Sequence, residues 1–160
     1  MAVQLSIRSK VVGSVLLAAF AFLVASALFL EGPLRTVLQG LLAEEQTRNA
    51  RRFADELAHT SSWQDLSRPM ALRAAVILDR RVSIIASSGV VIADTARSEH
   101  GMDNHLARPE IVDAREKGTG RAVRRSGTTD RLYLYVAAPI MSGTQIAGYS
   151  RIATPMDDIE

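Results

Sequence analysis

From residue 11 to residue 30 the chain is apolar at almost every position and carries neither charge nor proline. At ~1.5 Å of rise per residue a helix of that run spans about 30 Å, the thickness of a hydrocarbon core. The pattern predicts a transmembrane helix over 11–30. Gly32 and Pro33 then loosen the chain, with Pro33 suited to the first turn of a new helix. Helical spacing resumes over 34–60. Leu34, Val37, Leu38, Leu41 and Leu42 form one apolar patch, and Ala50, Phe53, Ala54 and Leu57 form a second on nearly the same face. Glu44 stands four residues ahead of Arg48 in the favourable order for a helical pair.

Thr60-Ser61-Ser62-Trp63 ends that helix, and Ser67-Arg68-Pro69 opens another. Its predicted buried face is Met70, Ala74, Ile77 and Leu78, and it ends near Arg80. The pattern then changes from helical to β-rich. Residues 82–86 and 90–93 are short strands joined by Ser87-Ser88-Gly89, a hairpin with glycine in the left-handed position. A polar loop follows over 94–107. Pro109 and Glu110 open a helix that Gly118 stops. Strands are expected at 121–126, 131–138 and 145–153, with turns at 127–130 and 141–144. In the middle one Leu132, Leu134 and Val136 alternate with Tyr133, Tyr135 and Ala137, so both faces should be covered. Residues 154–158 read as the start of a last helix. Hairpin-joined strands with an inserted helix predict an α+β domain, an antiparallel sheet of about five strands covered by helices.

Charge orients this plan. Arg8 and Lys10 precede the apolar run and Glu31 follows it, so residues 1–10 should be a cytoplasmic tail and residues 31–160 extracytoplasmic. A cleaved signal peptide is the rival, since Ala25-Ser26-Ala27 has the form of a cleavage site. Against it, apolar character continues through Leu28, Phe29 and Leu30. Of 19 Lys and Arg, two lie before the span, leaving 17 against 17 Asp and Glu. The outer part is therefore balanced, and no nucleic-acid partner is expected. Cysteine is absent, which excludes a disulfide scaffold and thiol chemistry. The segments are then a tail (1–10), a span (11–30), two helices (31–80), a β-rich core (81–153) and an exit segment (154–160).

Candidate chemistry is sparse. No phosphate-cradling, zinc-protease or nucleophile-elbow motif occurs, and Gly118-Thr119-Gly120 follows a helix, the wrong context for a dinucleotide. Glu99, His100, Asp103 and His105 fall within seven residues, but nothing fixes their geometry and no metal site is predicted. His59 reads as a surface residue. Arg121, Arg124, Arg125 and Arg131 form a basic cluster, and Arg108 stands beside a helix N-terminus. Adjacent strand residues face opposite ways, so only one of Arg124 and Arg125 can join Arg108. The expected site pairs Arg108 with Arg125 around a small anionic ligand, with His105 tuning it near neutral pH. Tyr135 is a further candidate, although tyrosines at such positions more often pack within a sheet. The 34–57 stripe either packs on its own domain or forms a homodimer seam through Leu38, Leu42, Phe53 and Leu57, with Gln46 or Asn49 setting register.

Three stretches carry a resemblance. They are Arg81-Val82-Ser83-Ile84-Ile85-Ala86-Ser87-Ser88-Gly89-Val90-Val91-Ile92-Ala93-Asp94, Asn104-His105-Leu106-Ala107-Arg108-Pro109-Glu110-Ile111, and Tyr135-Val136-Ala137-Ala138-Pro139-Ile140 followed by Gly143, Ile146, Gly148 and Arg151. With the anchor and long helix, they resemble the N-terminal sensor region of bacterial membrane-bound sensor histidine kinases, especially the phosphate-regulon-like group. The resemblance implies a PAS-like (Cache-type) fold in the inner membrane's outer compartment. It also implies a second span, a HAMP linker and an ATP-dependent kinase beyond residue 160. ATP and Mg would be bound in that region, which would act on a response regulator, and no cofactor is expected in this chain. Similar regions precede chemoreceptor and diguanylate-cyclase outputs, and a stand-alone anchored or secreted binding protein is the remaining alternative. An enzyme reading of this chain has no residue constellation behind it.

Overall fold

The computed structural model describes residues 7–99, 101–127 and 130–156. The chain divides into two compact units, Met1–Gln39 and Gly40–Glu160. The helix α1 (Ile7–Ala58) is unbroken, so Pro33 lies inside it and does not mark a joint. Proline's fixed φ is itself helical, and the cost is one missing N–H. Within the first unit the large side chains of the apolar run, among them Leu16, Phe20, Phe22, Leu23 and Phe29, are exposed. This stretch is long and apolar enough to cross a membrane.

In the second unit, α2 (Ser67–Leu78) precedes a five-stranded antiparallel sheet. The strands are β1 (Arg81–Ala86), β2 (Val91–Asp94), β3 (Gly120–Arg125), β4 (Leu132–Ser142) and β5 (Gln145–Pro155), and α3 (Pro109–Lys117) is inserted before β3. Their order across the sheet is β2-β1-β5-β4-β3. The three hairpins follow from the turn signals, whereas the central β1–β5 pairing joins the two ends of the domain.

Alternation gives the sheet two unlike faces. One buries Val82, Ile84, Leu134, Val136, Ala138, Ile140 and Ile152 against Ala50, Phe53, Ala54 and Leu57 of α1, with Trp63 and Ala71. The other packs Ile85, Ala137 and Tyr149 against Ile111 and Ala114 of α3. It then continues into the polar positions Arg81, Ser83, Tyr135, Arg151 and Arg124.

Two helix faces differ in part from expectation. On α2 Met70, Ala74 and Leu78 pack against the core as expected, with Ser67 and Ala71 buried beside them, whereas Ile77 is 69% exposed. The buried side of the helix is therefore turned towards Ser67 and Ala71, away from Ile77. On α1, Phe53 and Leu57 lie in the domain's own core, and Gln46 is buried there too. They are therefore unavailable as a dimer seam. Leu42 is packed against the same core, and only Leu38 of the four expected seam residues is exposed, at 46%. The final segment is also revised. Thr154 and Pro155 extend β5 and pair with Leu134 and Tyr133, so the strand takes the first residues of the expected helix and a helical turn begins only at Met156. Residues 157–160 of the expected exit helix lie outside the described residues.

Two glycines are fixed by close approach. Gly89 has φ +89°, and a Cβ on it would strike Asn104 and Leu106. A Cβ on Gly120 would strike the backbone of Glu110 and Ala114, so only glycine lets α3 lie this close to β3.

Candidate functional site

The β1–β2 turn holds the loop that carries His105. Asn104 Nδ2 donates to the Ser88 carbonyl at 2.8 Å, its Oδ1 accepts the Leu106 N–H at 2.8 Å, and the His105 N–H donates to the Gly89 carbonyl at 2.8 Å. One asparagine thus pins the loop against the hairpin. Three residues on, Arg108 is the extended N-cap of α3, and Pro109 supplies the first helical φ. The Val112 N–H donates to the Arg108 carbonyl at 2.9 Å.

Between this loop and the polar sheet face lies a cavity of about 130 Å³. Arg81, Arg124, Tyr135 and Arg151 line it from the sheet; Arg97, Asp103, His105 and Arg108 line it from the loop. Beneath it runs a chain of buried charges. Arg81 grips Asp94 in a fork, Nε to Oδ1 at 3.1 Å and Nη2 to Oδ2 at 3.0 Å. Ser83 Oγ donates to Asp94 Oδ2 at 2.7 Å and accepts from Arg151 Nη2 at 2.9 Å. Arg151 Nη1 reaches Glu110 Oε1 at 3.5 Å, and Arg124 Nη2 donates to the same oxygen at 2.6 Å. The Arg124 guanidinium lies 3.9 Å from the Tyr135 ring centroid and that of Arg151 lies 5.0 Å from it, both in cation–π range.

Electrostatics follow from this packing. Burial raises the Glu110 pKa, but the Arg124 hydrogen bond, its own backbone N–H and the Arg124 and Arg151 charges outweigh that and hold it below the ordinary value. Burial lowers Arg151 to about 10, still charged at neutral pH. His105 is lowered to about 4 by burial first and by the Arg151 charge second.

Of the expected site residues, the structure brings His105, Arg108 and Tyr135 to the cavity and leaves Arg125 outside it. Arg125 Nη1 donates to the Asp130 carbonyl at 2.8 Å from an exposed position. The strand alternation holds, but its phase puts Arg124 inward, opposite Tyr133. At the α3 N-terminus the buried Glu110 carboxylate already supplies a negative charge, whose pKa its own backbone N–H helps to lower. His105 does not titrate near neutrality, because desolvation and neighbouring arginines keep it uncharged. Its Nδ1–H donates to the Asp103 carbonyl at 2.7 Å. Arg121 leaves the basic cluster for α1, with Nη2 on Glu44 at 2.9 Å and Nε on Thr47 at 2.9 Å. Glu44 therefore has an arginine partner on β3, where the sequence suggested Arg48. His59 is exposed, as expected. His100 lies outside the described residues, and Glu99 pairs with Arg68 at 2.9 Å.

Sequence reasoning missed Arg81, Asp94, Arg97 and Arg151 as site residues and gave Glu110 only a helix-end role. The one available signal was Arg151, the lone charge in the stretch from Ile146 to Ala153.

No protein-family model and no curated protein sequence matches the chain. Solved structures do. The sensory domain of the Campylobacter jejuni chemoreceptor Tlp3, with isoleucine bound, superposes with a TM-score of 0.64 at 11% identity, over 78% of this chain and 56% of that one. The sensor domain of Escherichia coli DcuS gives 0.57 at 15% identity, over 74% of this chain and 91% of that one. The sensor domain of the Vibrio cholerae histidine kinase DctB gives 0.54 at 17% identity, over 71% and 45%. The fold is that of Cache-type sensor domains. The chain spans 56% of the Tlp3 domain's length, so it corresponds to part of that larger structure.

Proposed function

We propose that the chain is the membrane-anchored, extracytoplasmic sensing region of a bacterial signalling receptor in the inner membrane, and that the arginine-lined cavity is its ligand site. The observation that carries this is the cavity itself, lying between the sheet and the α3 loop and framed by buried ion pairs, on a fold otherwise seen in ligand-binding sensors. Buried charges cost several kcal/mol each unless paired. A chain that places Arg151, Asp94 and Glu110 fully inside is building a rigid polar frame where an apolar core would be more stable.

The ligand on this reading is a small anion, met by Arg108 from the loop and Arg124 from the sheet. Its binding would bias the sheet and α3 between two arrangements, and β5, which carries Arg151, runs directly to Pro155 at the domain's exit. The resemblance over 81–94 and 104–111 favours a phosphate-regulon-like sensor histidine kinase as the parent, with ATP, Mg and a response regulator engaged by its cytoplasmic part. A chemoreceptor parent is the second reading, supported by the Tlp3 likeness.

The test uses the full chain in lipid nanodiscs, with unfolding followed by Trp63, the sole tryptophan, which is buried in the core. A panel of small carboxylates, phosphates and amino acids is screened for thermal shift. Stabilisation by at least one anion, lost in Arg108→Ala, supports the reading. A panel without any shift contradicts it.

A further inference from the structure

We propose that the cavity selects a small dianion, in preference both to monoanions and to zwitterionic amino acids. This deepens the reading of the cavity as the ligand site and rests on it.

The inference comes from charge balance. Five guanidinium groups line the cavity, those of Arg81, Arg97, Arg108, Arg124 and Arg151. The carboxylates that meet them are three: Asp94 on Arg81 and Arg151, Glu110 on Arg124 and Arg151, and Asp103 at 3.8 Å from Arg108. Two positive charges are left over. Among the described residues the Arg97 side chain has no ion-pair partner, and Arg151 only shares its carboxylates, Asp94 with Arg81 and Glu110 with Arg124, while Arg108 meets just the 88% exposed Asp103. His105 adds no charge near neutral pH, and its bonded Nδ1–H leaves Nε2 as an acceptor.

One buried donor is also unfilled. The Arg151 side chain is 2% exposed, its two Nη atoms are engaged, and its Nε has no acceptor. A buried donor without a partner is costly, and the cavity that Arg151 lines is where an acceptor would come from. A single negative charge would leave the site cationic; two bring it to neutrality.

The same frame disfavours an amino acid. An α-ammonium group among five guanidiniums is best compensated by a carboxylate facing it, yet Asp94 and Glu110 are fully buried and held by arginines beneath the cavity. Among the described residues Asp103 is the one acid on the cavity wall, and it is solvated and set against Arg108. A volume of about 130 Å³ further limits the ligand to a compact molecule.

The experiment titrates the full chain in nanodiscs at constant ionic strength with sulfate, malonate, acetate, glycine, isoleucine and inorganic phosphate, reading the Trp63 unfolding midpoint. Sulfate or malonate should bind at least about tenfold more tightly than acetate, since unlike-charge attraction scales with ligand charge. The sulfate and malonate arms separate a one-centred dianion from a two-ended one. Phosphate should gain affinity from about pH 6 to about pH 8 as it becomes a dianion, while sulfate should not. Across that range His105 stays neutral and Glu110 stays ionised. Arg97→Gln and Arg108→Gln, each at an exposed or half-exposed position, should each narrow the preference for sulfate over acetate. Acetate binding as tightly as sulfate and malonate, or an amino acid binding where no dianion does, overturns the dianion inference while leaving the site in place. No shift with any probe overturns the site reading itself.

Discussion

Glu110, in the first turn of α3, and Arg124, on β3, meet at 2.6 Å with the carboxylate fully buried. This pair fastens the helix to the sheet edge over a polar face, where apolar packing has thinned out. Gly120 makes the approach sterically feasible, and the ion pair then holds the first turn of α3 against β3.

Removing one side of such a pair strands the other. Glu110→Gln leaves Arg124 without its carboxylate and Arg151 with Asp94 alone. The expected loss is roughly 3–5 kcal/mol, the usual cost of an uncompensated buried charge. Guanidinium unfolding followed at Trp63 measures it. A loss no larger than that of a surface ion pair, under ~1 kcal/mol, would show that the network contributes little.

His105 predicts an acid-labile step. Its pKa falls from 6.5 to about 4 on folding, so between those values the unfolded chain binds the extra proton. Stability therefore decreases as pH drops from about 6.5 towards 4, by up to about 3 kcal/mol at 1.36 kcal/mol per unit. Measurements above pH 5 isolate this from Glu110, whose lowered pKa matters only below its ordinary 4.5. His105→Asn should flatten the slope between pH 5 and 6.5. An unchanged slope would assign it elsewhere.

If the chain forms a homodimer through α1, the contact must use the residues its own domain leaves free. Single cysteines at Leu34, Leu38 and Leu41, exposed at 58%, 46% and 62%, should cross-link with helical periodicity. Cysteines at Phe53 and Leu57 should not, because both lie in the core. Equal cross-linking at all five positions would mean that α1 leaves the sheet.

The fold was largely legible, and for stated reasons. Pro109 and Gly118 bracket α3 by their own φ preferences, and Gly89 closes the β1–β2 hairpin. The alternation over 132–137 foretold a sheet covered on both faces. What could not be read was register. Arg124 and Arg125 are chemically equivalent in sequence, and only the pairing of Arg124 with Tyr133 decides which enters the cavity. Likewise Arg151 becomes a site residue only because β5 sits beside β1, a pairing between the two ends of the domain that no local signal encodes. Phe53 and Leu57 show the same limit for helices. Their spacing gave an apolar stripe, but periodicity says nothing about whether the partner is a sheet or a second helix.

Comparing Arg108→Gln with Arg125→Gln probes the site most directly. Both side chains are well exposed, at 37% and 70%, so either change should leave the fold intact, yet only Arg108 lines the cavity. With an anion that stabilises the parent chain at about 100 times its Kd, the midpoint shift should be on the order of 5–10 °C. Arg125→Gln should keep that shift, and Arg108→Gln should lose most of it. Loss in Arg125→Gln with retention in Arg108→Gln would place the ligand on the opposite face of β3 and contradict the site described.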